Sequence, residues 1–515
     1  MSASTEKKNR VATRAAGNDK KTIAQQEEAA KKAREKVKWI VIGSLTVIVI
    51  ALILVLNYVC PKYCAAVKIG DEGFTAAQVN YNYANQYYNF ATQYGQYASM
   101  FGLDTQQGLS GLRAQSCGML ENGTWRDYFI DDAISAMSQQ KALKDYAAEN
   151  GVELTEEDKA EIDEEFSVLG AAADTNGFTS VEKFLNAYYG AGVNEKIAKE
   201  QASSLALASK AFRHYQDSLQ YTPEELAAEY DSYNGDKDYF DVCYYYVPAE
   251  TVADEEGNSA PTEETIAAAR EKAEAILAEY NNEELAAETD VEDRLNEAIA
   301  RAGFEDACTH SEHSTGSGIS PYKDWAMTAS EGDATVAENE SGDGFYVAAF
   351  ISHEDNSYKL AQVRHILVKI EPDEDGNYSE EAKAASKAAA EALYDEWRFG
   401  EKTEESFAEL AKIASEDEGS AANGGLYDNV QKGQMVEEFD KFCFEGHNPG
   451  DSAVIYGEAP GSYAGYHVMY YVGEGEVCRD YIAKNNLVNA ALEEFNEELM
   501  GKYETEKTFW IRYVG

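Results

Sequence analysis

Apolar positions along this chain follow three different rhythms. Trp39 to Leu56 (WIVIGSLTVIVIALILVL) carries no charged side chain over 18 positions. At 1.5 Å per helical residue such a run reaches about 27 Å, so residues 39–57 are predicted to form one transmembrane helix. A strand-like entry, AVKIGDEGFTAAQVN (66–80), then leads into a long stretch with helical spacing. Segments such as Trp125-Arg126-Asp127-Tyr128-Phe129-Ile130 and Val181-Glu182-Lys183-Phe184-Leu185 repeat apolar residues three and four apart, which predicts a mostly helical domain over 66–235. Thr155-Glu156-Glu157 and Thr222-Pro223-Glu224-Glu225 mark helix starts, a capping hydroxyl preceding acidic first-turn residues. From residue 238 onward, strand-like runs alternate with helical ones. At the end, Leu487, Ala491, Leu492, Phe495 and Leu499 predict an amphipathic helix within 481–512.

The strand-like runs come in two matching sets. DVCYYYVPAE (241–250) parallels QVRHILVKIE (362–371), and GFYVAAFIS (344–352) parallels GYHVMYYVG (465–473). Between them, PYKDWAMTASEGDATV (321–336) parallels EFDKFCFEGHNPGDSAV (438–454) with one inserted residue. The offset is 121 at both ends, which identifies an internal repeat and predicts two related α+β domains, 238–356 and 361–474. In this alignment Tyr244 stands where the second copy has His365, and Tyr346 where it has His467.

Charge adds direction to the apolar run. Residues 1–38 hold eleven Lys/Arg against five Asp/Glu, so the positive-inside rule makes 1–38 a basic cytoplasmic tail and places the bulk of the chain outside. The long basic region, and the lack of a small-x-small cleavage signal after the apolar run, favour an anchor over a cleaved signal peptide. Asn57-Tyr58-Val59 before Cys60 does not suit lipidation. Against a formal net charge of −49 for the whole chain, the part beyond the tail carries about −55. A phosphate backbone is repelled by such a surface, which excludes a generic nucleic-acid binder. The acidity suits basic or unfolded clients and equally suits a soluble, non-aggregating surface.

Two smaller features stay open. Seven cysteines in 515 residues do not make a disulfide framework; Cys60 and Cys64 (CPKYC), just outside the membrane, read by default as an incidental juxtamembrane pair, with a disulfide or a metal site as the alternatives. Cys308, His310 and His313 (CTHSEH) are metal-ligand types at close spacing, but with no fourth ligand evident no metal site is predicted. The stretch YNYANQYYNFATQYGQYASMF (81–101) is rich in tyrosine, which suits either helix packing or a sequence-tolerant grip on unfolded chains.

The candidate chemistry lies in the second copy. Val363-Arg364-His365-Ile366-Leu367-Val368 is answered by Gly465-Tyr466-His467-Val468, and between them stand FAELAK (407–412), SEDEGSAANGG (415–425), GQMVEEFDKFCF (433–444) and NPGD (448–451). This order of fragments resembles the parvulin family of peptidyl-prolyl cis/trans isomerases over roughly residues 361–474. The resemblance implies that His365 and His467 are the family's two facing histidines, that Asp417 lies beside the twisting carbonyl, and that Ser462 supports the histidines. It also implies an apolar proline pocket built from Met435 and Phe439, whose spacing of four predicts one face of a helical turn, with Tyr427 and Phe444 as further pocket or core candidates. There are departures: Gly424-Gly425-Leu426-Tyr427-Asp428 lacks the last glycine of the family's turn, and Ala464 stands where an aromatic residue commonly precedes Gly-Tyr-His, with Tyr463 as a possible substitute.

Together these features resemble membrane-anchored extracytoplasmic foldases of the PrsA and SurA type. That implies a single-pass protein at a Gram-positive-type cell surface, acting on unfolded or partly folded secreted polypeptides with X-Pro bonds. It also implies a terminal segment, 480–515, whose helix returns to the helical domain. No cofactor and no metal are implied, and the oligomeric state is left open. The rival reading is a non-catalytic holdase that uses both parvulin-like copies as binding modules. Intact His365, Asp417, Met435, Phe439 and His467 favour the enzyme, whereas Ala464 and the altered glycine turn favour the rival. A surface adhesive is disfavoured by the lack of short repeats and of a wall-sorting motif.

Overall fold

The computed structural model describes residues 3–15, 20–95, 97–253, 258–285, 290–373, 376–459 and 461–515, so part of the basic tail lies outside the described residues. The chain divides into two compact units, 1–219 with 490–515, and 220–489. The class is mixed helix and sheet.

In the first unit the apolar run lies in a helix that begins well before it, Lys20–Leu54. Its Ala24–Leu54 portion is long and apolar enough to cross a membrane, with an 18-residue window of mean hydropathy 2.5 that is not buried against the rest of the protein. Beyond it, Ala65–Ile69 and Glu72–Thr75 form a hairpin, to which Thr505–Lys507 adds a third antiparallel strand. Thr75 and Gln78 make a reciprocal capping box at the start of helix Ala76–Tyr94. That helix carries the tyrosine-rich stretch, and Tyr81, Tyr83 and Tyr87 are buried. Tyr87 meets Phe129 edge to face at 5.7 Å and Tyr81 stacks on Tyr189 at 4.7 Å. Most of these rings therefore serve packing, and Tyr94 and Tyr97 remain exposed.

The end of the chain differs from the sequence expectation. The last helix is Cys478–Gly501 and does not run on to 512; the strand Thr505–Lys507 and a 3-10 turn, Phe509–Tyr513, follow it. Phe495 of that helix stacks on Tyr215 at 3.8 Å and Leu499 is buried beside it. The expected boundary at 235 also moves, since helix Pro223–Ser232 belongs to the second unit. Its Tyr230 is buried there, donating to Asp238 at 2.8 Å and accepting from Asn356 at 2.9 Å.

The second unit contains two four-stranded antiparallel sheets of identical topology. In the first the order is Thr309–Thr315, Tyr239–Pro248, Gly344–Glu354, Ala334–Glu338; in the second it is Leu426–Val430, Lys359–Lys369, Tyr463–Val477, Ser452–Ala459. The register of the central pair is also the same. Tyr244 pairs with Ala348 as His365 pairs with Met469, and Tyr246 with Tyr346 as Leu367 with His467. Helices Glu263–Tyr280 and Val291–Arg301 follow the first strand of one sheet, and Glu380–Phe399 and Glu404–Ala414 follow that of the other. The two sheets thus share one strand order and one central register, as the internal repeat predicts. In the first, Tyr346 meets Tyr244 at 5.5 Å and the buried Tyr322 at 5.7 Å, so phenol rings fill the place of the histidine pair.

Candidate active site

Alternation along two strands builds the site. On Lys359–Lys369, Ala361 and Val363 join a core with Phe439, Phe442 and Met469, while Ile366 packs with Trp397 and Phe407 under the helices. Side chains two apart share a face, so His365 and Leu367 emerge on the side of Val363, away from helices Glu380–Phe399 and Glu404–Ala414 and toward Phe439. His467 comes from the neighbouring strand Tyr463–Val477 on the same side as Met469. Both histidines are almost fully buried, at 3% and 2% exposure.

Gly425 fixes the height of His365. Its carbonyl accepts from the His365 backbone N–H at 2.8 Å, its φ is +71°, and a Cβ there would stand 2.1 Å from the His365 carbonyl oxygen. Gly424, also left-handed at +66°, completes the turn. The turn then runs straight into strand Leu426–Val430, so the departure at Asp428 leaves the approach to the site intact.

A hydrogen-bonded chain crosses the floor of the site. The two Nδ1 atoms of His365 and His467 are 3.0 Å apart, which requires one proton between them, since two protons or none would set like ends face to face. His365 Nε2 lies 2.8 Å from Asp417 Oδ2, and the Ser420 and Tyr427 hydroxyls donate to the same oxygen at 2.5 and 3.0 Å. At the other end the Tyr463 hydroxyl is 3.4 Å from His467 Nε2. A shared proton on Nδ1 of a neutral His467 leaves its Nε2 to accept from Tyr463.

Each shift in acidity has a cause in this chain. The hydrogen bond from His365, helped by those from Ser420 and Tyr427, holds the Asp417 carboxyl well below the usual carboxylate range against the opposing effect of burial. Burial, with His365 alongside, pushes His467 down to about 3, so it is neutral at pH 7. Burial, then the Asp417 charge, raises the Tyr427 hydroxyl to about 12 and keeps it a donor.

Above this floor opens a pocket of about 650 Å³, lined among others by Met435, Phe439, Tyr427, Tyr463 and Leu367. Phe439 stands edge-on to both imidazoles, 5.3 Å from His365 and 5.5 Å from His467. Met435 reaches the pocket by another route than expected: Val436 is the N-cap of helix Glu437–Phe444, so Met435 precedes the helix and does not share its face. Of the pocket and core readings for Phe444, the structure has the core one, against the cluster of Ala361, Val363, Phe439 and Phe442. It packs against Tyr358 at 5.5 Å, outside the pocket lining, because five helical positions past Phe439 turn it about 140° away. Ser462 sits exposed at the rim, and the hydroxyls that reach the histidines belong to Tyr463 and Ser420 instead. Ala464 is buried outside the lining, while Tyr463 puts an aromatic ring into it. Ser420 went unnoticed in the sequence, although its place three residues after Asp417 in a turn returns its hydroxyl to that carboxylate.

Residues 365–472 match the rotamase family, described as a PPIC-type PPIASE domain. Among curated proteins the chain is similar to the chaperone SurA of Pseudomonas savastanoi pv. phaseolicola, 30% identical over 204 residues, which cover 38% of this chain and 41% of the relative. It is also similar to SurA of Hahella chejuensis, 41% identical over 85 residues covering 16% and 17%. The chain spans about two fifths of the length of the first of these relatives. Solved structures found similar are the foldase PrsA of Streptococcus pneumoniae (13% identity, TM-score 0.22, covering 74% of this chain and 90% of that one) and PrsA of Bacillus anthracis (17%, 0.18, 45% and 93%). With two facing histidines on the floor of a pocket walled by Met435 and Phe439 and the family match over the same residues, this chain carries a parvulin-type, PPIC-class peptidyl-prolyl cis/trans isomerase domain.

Proposed function

We propose that the chain is a membrane-anchored extracytoplasmic foldase whose 361–474 domain isomerises X-Pro bonds in secreted polypeptides that are not yet folded. The observation that carries this reading is the desolvated histidine pair tied to Asp417 beneath a pocket walled by Met435 and Phe439.

Rotation about a peptide bond is opposed by about 18–20 kcal/mol of conjugation energy, and no covalent bond has to break to overcome it. The planar amide is more dipolar than the twisted one, so a dry pocket favours the twisted form. Met435 and Phe439 take the proline ring, and the substrate carbonyl turns against the Asp417, Ser420 and Tyr427 side. There the fixed dipoles of the network replace water without reorganising. His365 and His467 act as the scaffold that sets this polar wall, and neither is assigned as a nucleophile. Among the described residues, Tyr244 and Tyr346 leave the first sheet with no comparable network, which supports a client-binding role for it alongside the helical unit.

The basic tail ahead of one long apolar helix supports a cytoplasmic N-terminus and an exported bulk. The test is a proline-limited refolding assay with the purified full chain. Acceleration of the slow phase at substoichiometric concentration is the expected result. An effect that appears only at stoichiometric amounts identifies a holdase and overturns the isomerase reading.

A further inference from the structure

The run Cys308-Thr309-His310-Ser311-Glu312-His313 is unused by the isomerase domain, and the first sheet brings part of it together with residues distant in sequence. In the register of strands Tyr239–Pro248 and Thr309–Thr315, Cys243 is paired directly with His310. Cys308 lies two residues before His310, on the same side of the sheet, where it neighbours Cys243 diagonally. Helix Val291–Arg301 packs over that side. Its Asn296 side chain accepts from the Cys308 backbone N–H at 2.8 Å, and its Glu292 places a carboxylate oxygen 3.1 Å from His310 Nδ1.

The ligand atoms of Cys243, Glu292 and His310 all lie within 4.8 Å of one another. Cys308 is in side-chain hydrogen-bond contact with Cys243, and its Sγ is 4.0 Å from the Glu292 carbonyl oxygen. His313, the third ligand type of the run, is turned elsewhere, its ring stacked on Tyr239 at 3.7 Å.

We propose that Cys243, Cys308, His310 and Glu292 form a site for one soft divalent cation, zinc by the chemistry of its donors. Two sulfurs, an imidazole and a carboxylate make a four-donor set that zinc takes tetrahedrally, whereas calcium and magnesium call for oxygen donors only. Tetrahedral bonds of about 2.0–2.3 Å need ligand atoms about 3.3–3.8 Å apart. The His310 to Glu292 distance is already close to this range, and the other donors close by a side-chain adjustment. Cys243 is fully buried, while His310 and Glu292 are 31% and 45% exposed and give the ion a path from solvent. Binding expels the thiol protons and ties helix Val291–Arg301 to the two strands beneath it. The site stands in the sheet without the histidine pair and is independent of the isomerase reading.

The test is a cobalt(II) titration of the reduced full chain in detergent under anaerobic conditions. One equivalent should bind with the intense visible bands of tetrahedral cobalt and a near-ultraviolet thiolate charge-transfer band, both bleached by zinc. The signal should survive in the Cys60→Ser/Cys64→Ser variant, which removes the other closely spaced cysteines. His310→Ala, at a partly exposed position that leaves the core intact, and Cys243→Ser should each weaken binding by at least about 100-fold, more than the loss of an outer-shell partner. A wild-type chain without the thiolate band overturns the proposal. So does a signal that follows Cys60 and Cys64, or one that His310→Ala leaves unchanged. A Cys243–Cys308 disulfide whose reduction restores no cobalt binding also overturns it.

Discussion

Acidification should destabilise the isomerase domain through His467 before most carboxylates begin to titrate. His467 is 2% exposed, and burial with His365 alongside holds it to about 3, against about 6.5 for an unfolded histidine. Between those values the unfolded chain binds a proton there that the folded chain does not. Stability therefore falls as pH falls, by about 1.4 kcal/mol per pH unit below about 6.5. Going from pH 7.5 to 5.0 crosses about 1.5 units of that window and costs about 2 kcal/mol. Asp417 acts in the same direction at lower pH: its depressed carboxyl contributes stability that is complete above about 3.9 and is lost as pH falls further. The assay is urea unfolding of residues 358–478, followed through Trp397, the only tryptophan in that stretch, which is buried and packed edge-on to Tyr470 at 5.5 Å. His467→Gln, which keeps a hydrogen-bonding side chain without the titration, should abolish most of the pH 7.5 to 5.0 difference. Equal midpoints for the wild type at the two pH values, or an equal drop in the variant, would refute the reasoning.

Three further outcomes follow from the site and the anchor. Gly425→Ala should destabilise the domain by about 3 kcal/mol or more, the left-handed φ alone costing about 1–2, and should suppress activity because His365 must move; a folded, fully active variant contradicts the clamp. Met435→Ala, at a half-buried position before the helix, should raise the substrate concentration for half-maximal rate by about 5–10-fold with little loss of stability, whereas Phe439→Ala should also cost about 3–5 kcal/mol in the urea assay. Protease added to spheroplasts should digest the 361–474 domain and spare an epitope placed before residue 30; a protected domain, or a mature chain beginning near Cys60 or Ala65, reverses the topology or the anchoring.

What the sequence could reveal tracks the range of the interactions involved. The apolar run, the capped helix at Thr222 and the two-residue alternation around His365 are local patterns, and the structure has a helix or strand at each. The strand Thr505–Lys507 offers no such pattern. It is three polar residues long, and only its pairing with Ala65–Ile69, more than 400 residues earlier, makes it a strand. The boundary near 219 was hidden for the same reason, since what ties Pro223–Ser232 to the second unit is Tyr230 reaching Asn356. Within the site, spacing misled where a cap intervened. Met435 and Phe439 are four apart, but Val436 starts the helix between them, so the shared pocket arises from a bend followed by a helix. Ser420 carried no apolar rhythm and no charge, and only folding the 417–425 turn back under His365 turns it into a member of the network.

The two sheets show why the repeat could lose its polar floor and keep its shape. Strand order and central register depend on residues that face the helices and on backbone pairing, and those are equivalent in both sheets. His365 and His467 lie on the opposite face, where the sheet asks only that the space be filled and buried polar atoms be satisfied. Histidines there need Asp417, Ser420, Tyr427 and Tyr463 to complete their hydrogen bonds, so the network must be kept or lost as a set. Tyrosines need less. Tyr244, Tyr346 and Tyr322 fill the face by ring contact, and the hydroxyl of Tyr246 reaches Asp343 and Asn339 near the edge. Reintroducing only the two histidines into the first sheet would bury imidazoles without their partners, so Tyr244→His/Tyr346→His is expected to destabilise that domain and to confer no isomerase activity.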